Sequence, residues 1–185
     1  MRLSGGWLEF ELNLEGYQFP ELANDPYDSN WLNIRVSLTH AGGRWSRWEK
    51  LDPSLETFEV RWLIEWLEEV AAHAEVFKNW RSDRLTSRIF FTEPNLSFEA
   101  LSGSLEGKAL TLRVYLAAEY LPPFKNDLNG VRFNDDDDDL AEVWLDFPVD
   151  ASDLRQAAHS LAEQLALFPV RIDRPNRSSP QTQGD

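Results

Sequence analysis

Apolar and polar residues alternate strictly near the start of the chain. Leu8, Phe10, Leu12 and Leu14 interleave with Trp7, Glu9, Glu11 and Asn13, which predicts a strand over Trp7–Leu14 with one buried face. The same period of two returns over Trp31–His40, with Leu32, Ile34, Val36 and Leu38 inward. It returns again over Ala109–Leu116 and Ala141–Phe147. Gly42-Gly43 sits where a tight hairpin would join Trp31–His40 to a third strand, Arg44–Leu51. Shorter strands are expected over Arg88–Thr92 and Leu96–Ser102, about a Glu93-Pro94-Asn95 turn.

Helical spacing appears twice. From Phe58 to about His73, the residues Val60, Leu63, Ile64, Leu67, Val70 and Ala71 form one stripe, with Thr57 placed to cap the helix. Near the end, Leu154, Ala157, Ala158, Leu161 and Leu165 form a second stripe, capped by Asp150 or Ser152 and stopped by Pro169. Links of hairpin length imply antiparallel pairing. The expected architecture is α+β: a largely antiparallel sheet of about seven strands with two amphipathic helices packed on one face. The polar, proline-bearing stretch 173–185 reads as a disordered tail, which leaves 1–172 as a single α+β domain.

Composition narrows the function. A chain of 185 residues, 42% of them apolar, can bury a core without staples, and the absence of cysteine removes thiolate catalysis, disulfides and thiolate metal sites. No apolar run approaches the roughly 18 to 20 residues of a membrane span, and the N-terminus lacks a secretory layout, so a cytoplasmic protein is expected. Against 18 basic residues stand 32 acidic ones, a formal charge of −14 that repels nucleic acid and membrane and attracts basic surfaces. Solubility alone also accounts for such a charge.

The alternation puts Trp7, Trp31 and Trp144 on the side opposite the aliphatic rows, among Glu9, Glu11, Asn33, Arg35, Glu142 and Asp146. At least one of Trp45 and Trp48 should join them. Tryptophan contributes large burial at small entropy cost, so a mixed indole and carboxylate face reads as a contact surface for a basic partner. Indoles packed on one another or on the Gly16–Asn30 loop would give the same pattern. The expected contact residues are therefore Trp7, Glu9, Glu11, Trp31, Glu142, Trp144 and Asp146, or the acidic run Asp135, Asp136, Asp137, Asp138 and Asp139. That run lacks the glycine and the spaced terminal carboxylate of a calcium loop, and reads more simply as a solvated loop. His40, His73 and His159 are not spaced as metal ligands, and no nucleotide-binding or nucleophile motif is present. No catalytic residue, metal or cofactor is expected.

Three groups of residues resemble a known pattern: Gly16-Tyr17-Gln18-Phe19-Pro20 with Asp25-Pro26-Tyr27-Asp28-Ser29-Asn30-Trp31-Leu32, then Phe91-Thr92-Glu93-Pro94-Asn95-Leu96, then Asp146-Phe147-Pro148-Val149. Together with Leu55–Leu67 they resemble the WapI-type immunity proteins of bacteria over about residues 7 to 170. The resemblance implies a cytoplasmic antitoxin without catalytic residues that neutralises a cognate toxin, in the founding pair a tRNA-cleaving nuclease. The acidic charge fits independently, because a nuclease site that holds phosphates is basic. The alternative is a carbohydrate-active hydrolase or glycan-binding module, with tryptophans stacking on sugars and paired carboxylates acting on them. A third reading is an adaptor without a toxin partner.

Overall fold

A computed structural model describes residues 1–41, 46–79, 86–103, 107–132 and 140–172. The first half forms a meander of β1 (Arg2–Gly5), β2 (Leu8–Tyr17), β3 (Trp31–His40) and β4 (Arg47–Glu56), antiparallel and in chain order. β4 passes directly into α1 (Thr57–Ala72), and the short α2 (Ala74–Asn79) follows. The second half contains β5 (Thr86–Phe90), β6 (Leu96–Ser102), β7 (Leu110–Ala117), β8 (Asn129–Arg132) and β9 (Leu140–Val149), then α3 (Ala151–Leu165). Its sheet runs β5-β6-β7-β9-β8, so β8 is an added edge on an otherwise sequential meander. Among the described residues the first half thus has four strands and the second five, and each set runs into a long helix, α1 or α3.

The α+β class is as expected, but the described residues form nine strands in two sheets, where about seven in one sheet were expected. Alternation tells which way each side chain faces; it is silent on which strands share hydrogen bonds. β1 and β8 have four residues each, too few for a period to register. β4 also runs on through Asp52 and Pro53 to Glu56, past the expected end at Leu51. A proline is tolerated there because β4 is an edge strand and half its N–H groups face no partner. That edge is covered instead by packing: the Trp48 ring meets Phe124 edge-on at 6.4 Å, which places Trp48 inward.

The aliphatic rows of both sheets and the stripes of α1 and α3 meet in one core. Phe10 of β2 touches Phe98 of β6 and Phe147 of β9, each at 6.2 Å between ring centroids. Both helices begin with an acidic capping box. The Glu56 N–H donates to Glu59 Oε2 at 2.9 Å and the Asp150 N–H to Asp153 Oδ2 at 2.8 Å, and in each case the first side chain accepts the N–H of the second residue. Asp150 is therefore the cap of α3, as one of the two expected residues. For α1 the cap is Glu56 and not Thr57, whose buried hydroxyl has no hydrogen-bond partner among the described residues.

Candidate functional site

The expected contact residues divide between the two sheets. Trp7 lies in the β1–β2 turn, after Gly6 at φ +55°, and is 73% exposed. Its carbonyl accepts the N–H of Ala41, which places it beside the far end of β3. Trp31 opens the other end of that ten-residue strand, so the two indoles stand about 30 Å apart. Glu9 and Glu11 face Arg2 of β1, Glu9 hydrogen-bonded to it and Glu11 at 4.0 Å.

Glu142, Trp144 and Asp146 are on the second sheet, in a network of their own. Register places Arg88, Glu99, Arg113 and Asp146 side by side across β5, β6, β7 and β9, a row of alternating charge. Arg113 grips Asp146 through two bonds of 2.7 and 2.9 Å, and Arg88 reaches Glu142 at 2.7 Å. The next row is aromatic. Arg88 lies 3.5 Å over Tyr115, and Arg113 lies 4.9 Å over Trp144, which packs on Tyr115. These carboxylates are neutralised within the chain, and this indole is half-buried. Asp135, Asp136, Asp137, Asp138 and Asp139 lie outside the described residues, as does Trp45.

Unneutralised charge gathers elsewhere. Where the ends of the two sheets meet, a cleft of about 380 Å³ is lined by Gln18, Phe19 and Asp28 of the β2–β3 loop, Trp31, Asp52 and Pro53 of β4, Glu93 and Asn95 of the β5–β6 turn, and Glu119 after β7. Asp52 is 3.1 Å from Lys50. Asp28, Glu93 and Glu119 have no cationic partner among the described residues. Nor do any three His, Asp or Glu side chains group there as metal ligands. The arrangement suits a diffuse or mobile positive group, a guanidinium or ammonium, against the face of Trp31.

Three of the walls are fixed by buried polar residues. Glu59 of α1, 1% exposed, accepts the Thr92 N–H at 2.7 Å and so holds the turn that carries Glu93. The buried Asn95 accepts from Ser54 Oγ at 2.6 Å, and its carbonyl accepts the Ala117 N–H. Beside Glu119, the fully buried Tyr120 donates to the Ile34 carbonyl at 2.9 Å, fastening the second half of the chain to β3. Burial raises the Tyr120 phenol well above its ordinary pKa. Ala118, next to Glu119, adopts φ +45°, a left-handed conformation that costs a residue with a Cβ about 1 kcal/mol. On the fourth wall, Asp25 Oδ1 accepts the N–H groups of Tyr27 and Asp28, a turn that points Asp28 into the cleft.

Among these residues only Trp31 was expected from the alternation, because Asp52 and Pro53 lie beyond the expected end of their strand and the others sit in loops or turns, where no period exists. A signal was nevertheless present. The two loop stretches whose residues resembled the WapI-type pattern, Gly16–Leu32 and Phe91–Leu96, contribute Gln18, Phe19, Asp28, Trp31, Glu93 and Asn95 to the cleft.

The model of the Immunity protein WapI-like family matches residues 2–169. The chain belongs to that family. Membership supports an immunity function, and with it a cognate toxin as the partner and a role other than catalysis. No curated protein matches the chain. Both sheets, the helices α1, α2 and α3 and the whole lining of the cleft, as far as the residues are described, fall inside the stretch matched to the WapI-like family. No described helix is long and apolar enough to cross a membrane.

Proposed function

We propose that this immunity protein neutralises a basic, nuclease-type toxin domain in the cytoplasm by seating cationic side chains of the toxin in the acidic cleft between its sheets. The observation that carries the reading is the concentration of Asp28, Glu93 and Glu119, carboxylates without a cationic partner among the described residues, around Trp31 in a recess, while Glu9, Glu11, Glu142 and Asp146 face arginines of the chain itself. A cation entering the cleft meets negative potential with partly low-dielectric walls, which strengthens the attraction and speeds encounter. Trp31 supplies the buried aromatic contact typical of an interface centre. Glu142 pairs in register with Ala117, two residues before Glu119, so Glu142 and Trp144 lie toward the cleft end of the second sheet and are assigned to the rim of the contact.

The test requires, as the binding partner, a toxin domain encoded by a neighbouring gene. Wild type is expected to form a complex that weakens as salt is raised, and the triple variant Asp28→Asn, Glu93→Gln, Glu119→Gln to bind at least tenfold more weakly by calorimetry. A complex indifferent to both changes defeats the proposal.

The concave shape of the cleft, with carboxylates beside an indole, also favours a second reading as a glycan-binding or hydrolysing site. Incubation with polysaccharide substrates separates the two. Turnover that is lost in the triple variant would establish the second reading.

A further inference from the structure

Beyond α3 the chain turns back as a strap, 168–172, along the outside of the β2–β3 loop. Its contacts are polar and specific. The Arg171 N–H donates to Asn30 Oδ1 at 2.9 Å, and Asn30 Nδ2 donates back to the Ile172 carbonyl at 2.8 Å. Asn30 is buried, so this reciprocal pair is a ladder rung shielded from water. The Arg171 guanidinium lies 3.4 Å over the Tyr17 ring and donates to the carbonyls of Phe19 at 2.9 Å and Pro20 at 3.1 Å. Tyr17 in turn donates to the Pro169 carbonyl and packs edge-on against Phe168.

These bonds bracket the part of the loop that faces the cleft. Phe19, whose carbonyl Arg171 holds, lines one end of it, and Asn30 lies between Asp28 and Trp31 at the other. The thirteen-residue loop between β2 and β3 is held internally by short-range turn bonds, from the N–H groups of Leu22, Ala23 and Ser29 to the carbonyls of Phe19, Glu21 and Asp25, and a planar, five-donor guanidinium can hold several carbonyls that one ammonium cannot. Arg171 and Ile172 lie beyond the stretch matched to the family.

We propose that Arg171 is a positioning residue that holds the 18–30 loop as a preformed wall of the acidic cleft, so that the strap sets the strength of toxin binding. The proposal rests on the cleft as the toxin site. Preorganisation acts on affinity because a wall already ordered need not lose entropy on binding. The sign of the effect is diagnostic. Arg171 is a cation beside an acidic site, so charge alone makes Arg171→Ala a faster and tighter binder of a basic toxin, whereas loss of positioning makes it weaker.

Amide exchange and toxin binding are measured on the full chain for wild type, Arg171→Ala, Arg171→Lys and Asp28→Asn. Arg171→Ala is expected to speed exchange within 18–30 at least tenfold while β7 and β9 keep their protection. It should also weaken toxin binding about tenfold, chiefly through faster dissociation, with Arg171→Lys intermediate on both counts. Unchanged exchange in the loop overturns the inference. So does wild-type or tighter binding by Arg171→Ala when Asp28→Asn binds weakly, an outcome that leaves the cleft reading standing. Binding untouched by either substitution removes the cleft reading and the inference together.

Discussion

Glu59 accepts two backbone N–H groups from a buried position, Glu56 at 2.9 Å in its own helix and Thr92 at 2.7 Å across the core. A side chain with two such bonds is costly to remove, because both donors are left unpaired away from water. Glu59→Ala should therefore destabilise by about 2 to 4 kcal/mol in urea unfolding, more than an ordinary cap loss. Thr57 is the converse. Its hydroxyl is buried without a partner, so Thr57→Val should be neutral or stabilise by up to about 1 kcal/mol, where a true cap would lose that much. Tyr115 brings in pH. Burial first, and a hydrogen bond to Glu99 second, push its phenol from 10 up to about 12. The folded chain then keeps a proton that the unfolded chain releases. This stabilisation is complete below pH 10 and disappears as pH rises through 12. Melting temperature followed over that interval should fall, and less steeply in Tyr115→Phe.

Among the elements, the joints between halves matter more than any strand alone. Among the described residues the two sheets share no ladder, so their relative placement rests on side-chain packing and on close approaches such as that of β1 to β9. A Cβ on Gly5 of β1 would lie 2.8 Å from Pro148 Cδ and 3.6 Å from Phe147 Cα of β9. Gly5→Ala must push β1 away from β9 and is expected to lower stability by roughly 1 to 3 kcal/mol. Because β1 is a four-residue edge strand, early exchange of its amides would accompany the loss. Tyr120 is the opposite joint, fastened to β3 by a buried phenol. Of the two, Tyr120 is the one beside the cleft, next to Glu119 of its lining.

The whole molecule carries a formal charge of −14, yet the fold does not leave that charge uniformly available. Arginines neutralise Glu9, Glu142 and Asp146 on the sheet faces, while Asp28, Glu93 and Glu119 in the loops at one end have no cationic partner among the described residues. Association with a basic toxin should accordingly slow as salt rises, and neutralising Asp28, Glu93 and Glu119 should flatten that dependence far more than neutralising Glu9, Glu11 and Asp146, as read by stopped-flow association rates at several ionic strengths. Periodicity along the chain determined the α+β class, the inward faces of β2, β3, β7 and β9 and both long helices, because those follow from side chains three or four positions apart or alternating by two, and composition alone determined the acidic character. Only the tertiary structure decided that the strands form two sheets, that Glu142 and Asp146 are neutralised by Arg88 and Arg113, and that Asp28, Glu93 and Glu119 meet around Trp31. Ion pairs and clefts join residues tens of positions apart, and their geometry depends on how sheets pack and loops are pinned, which no local spacing encodes.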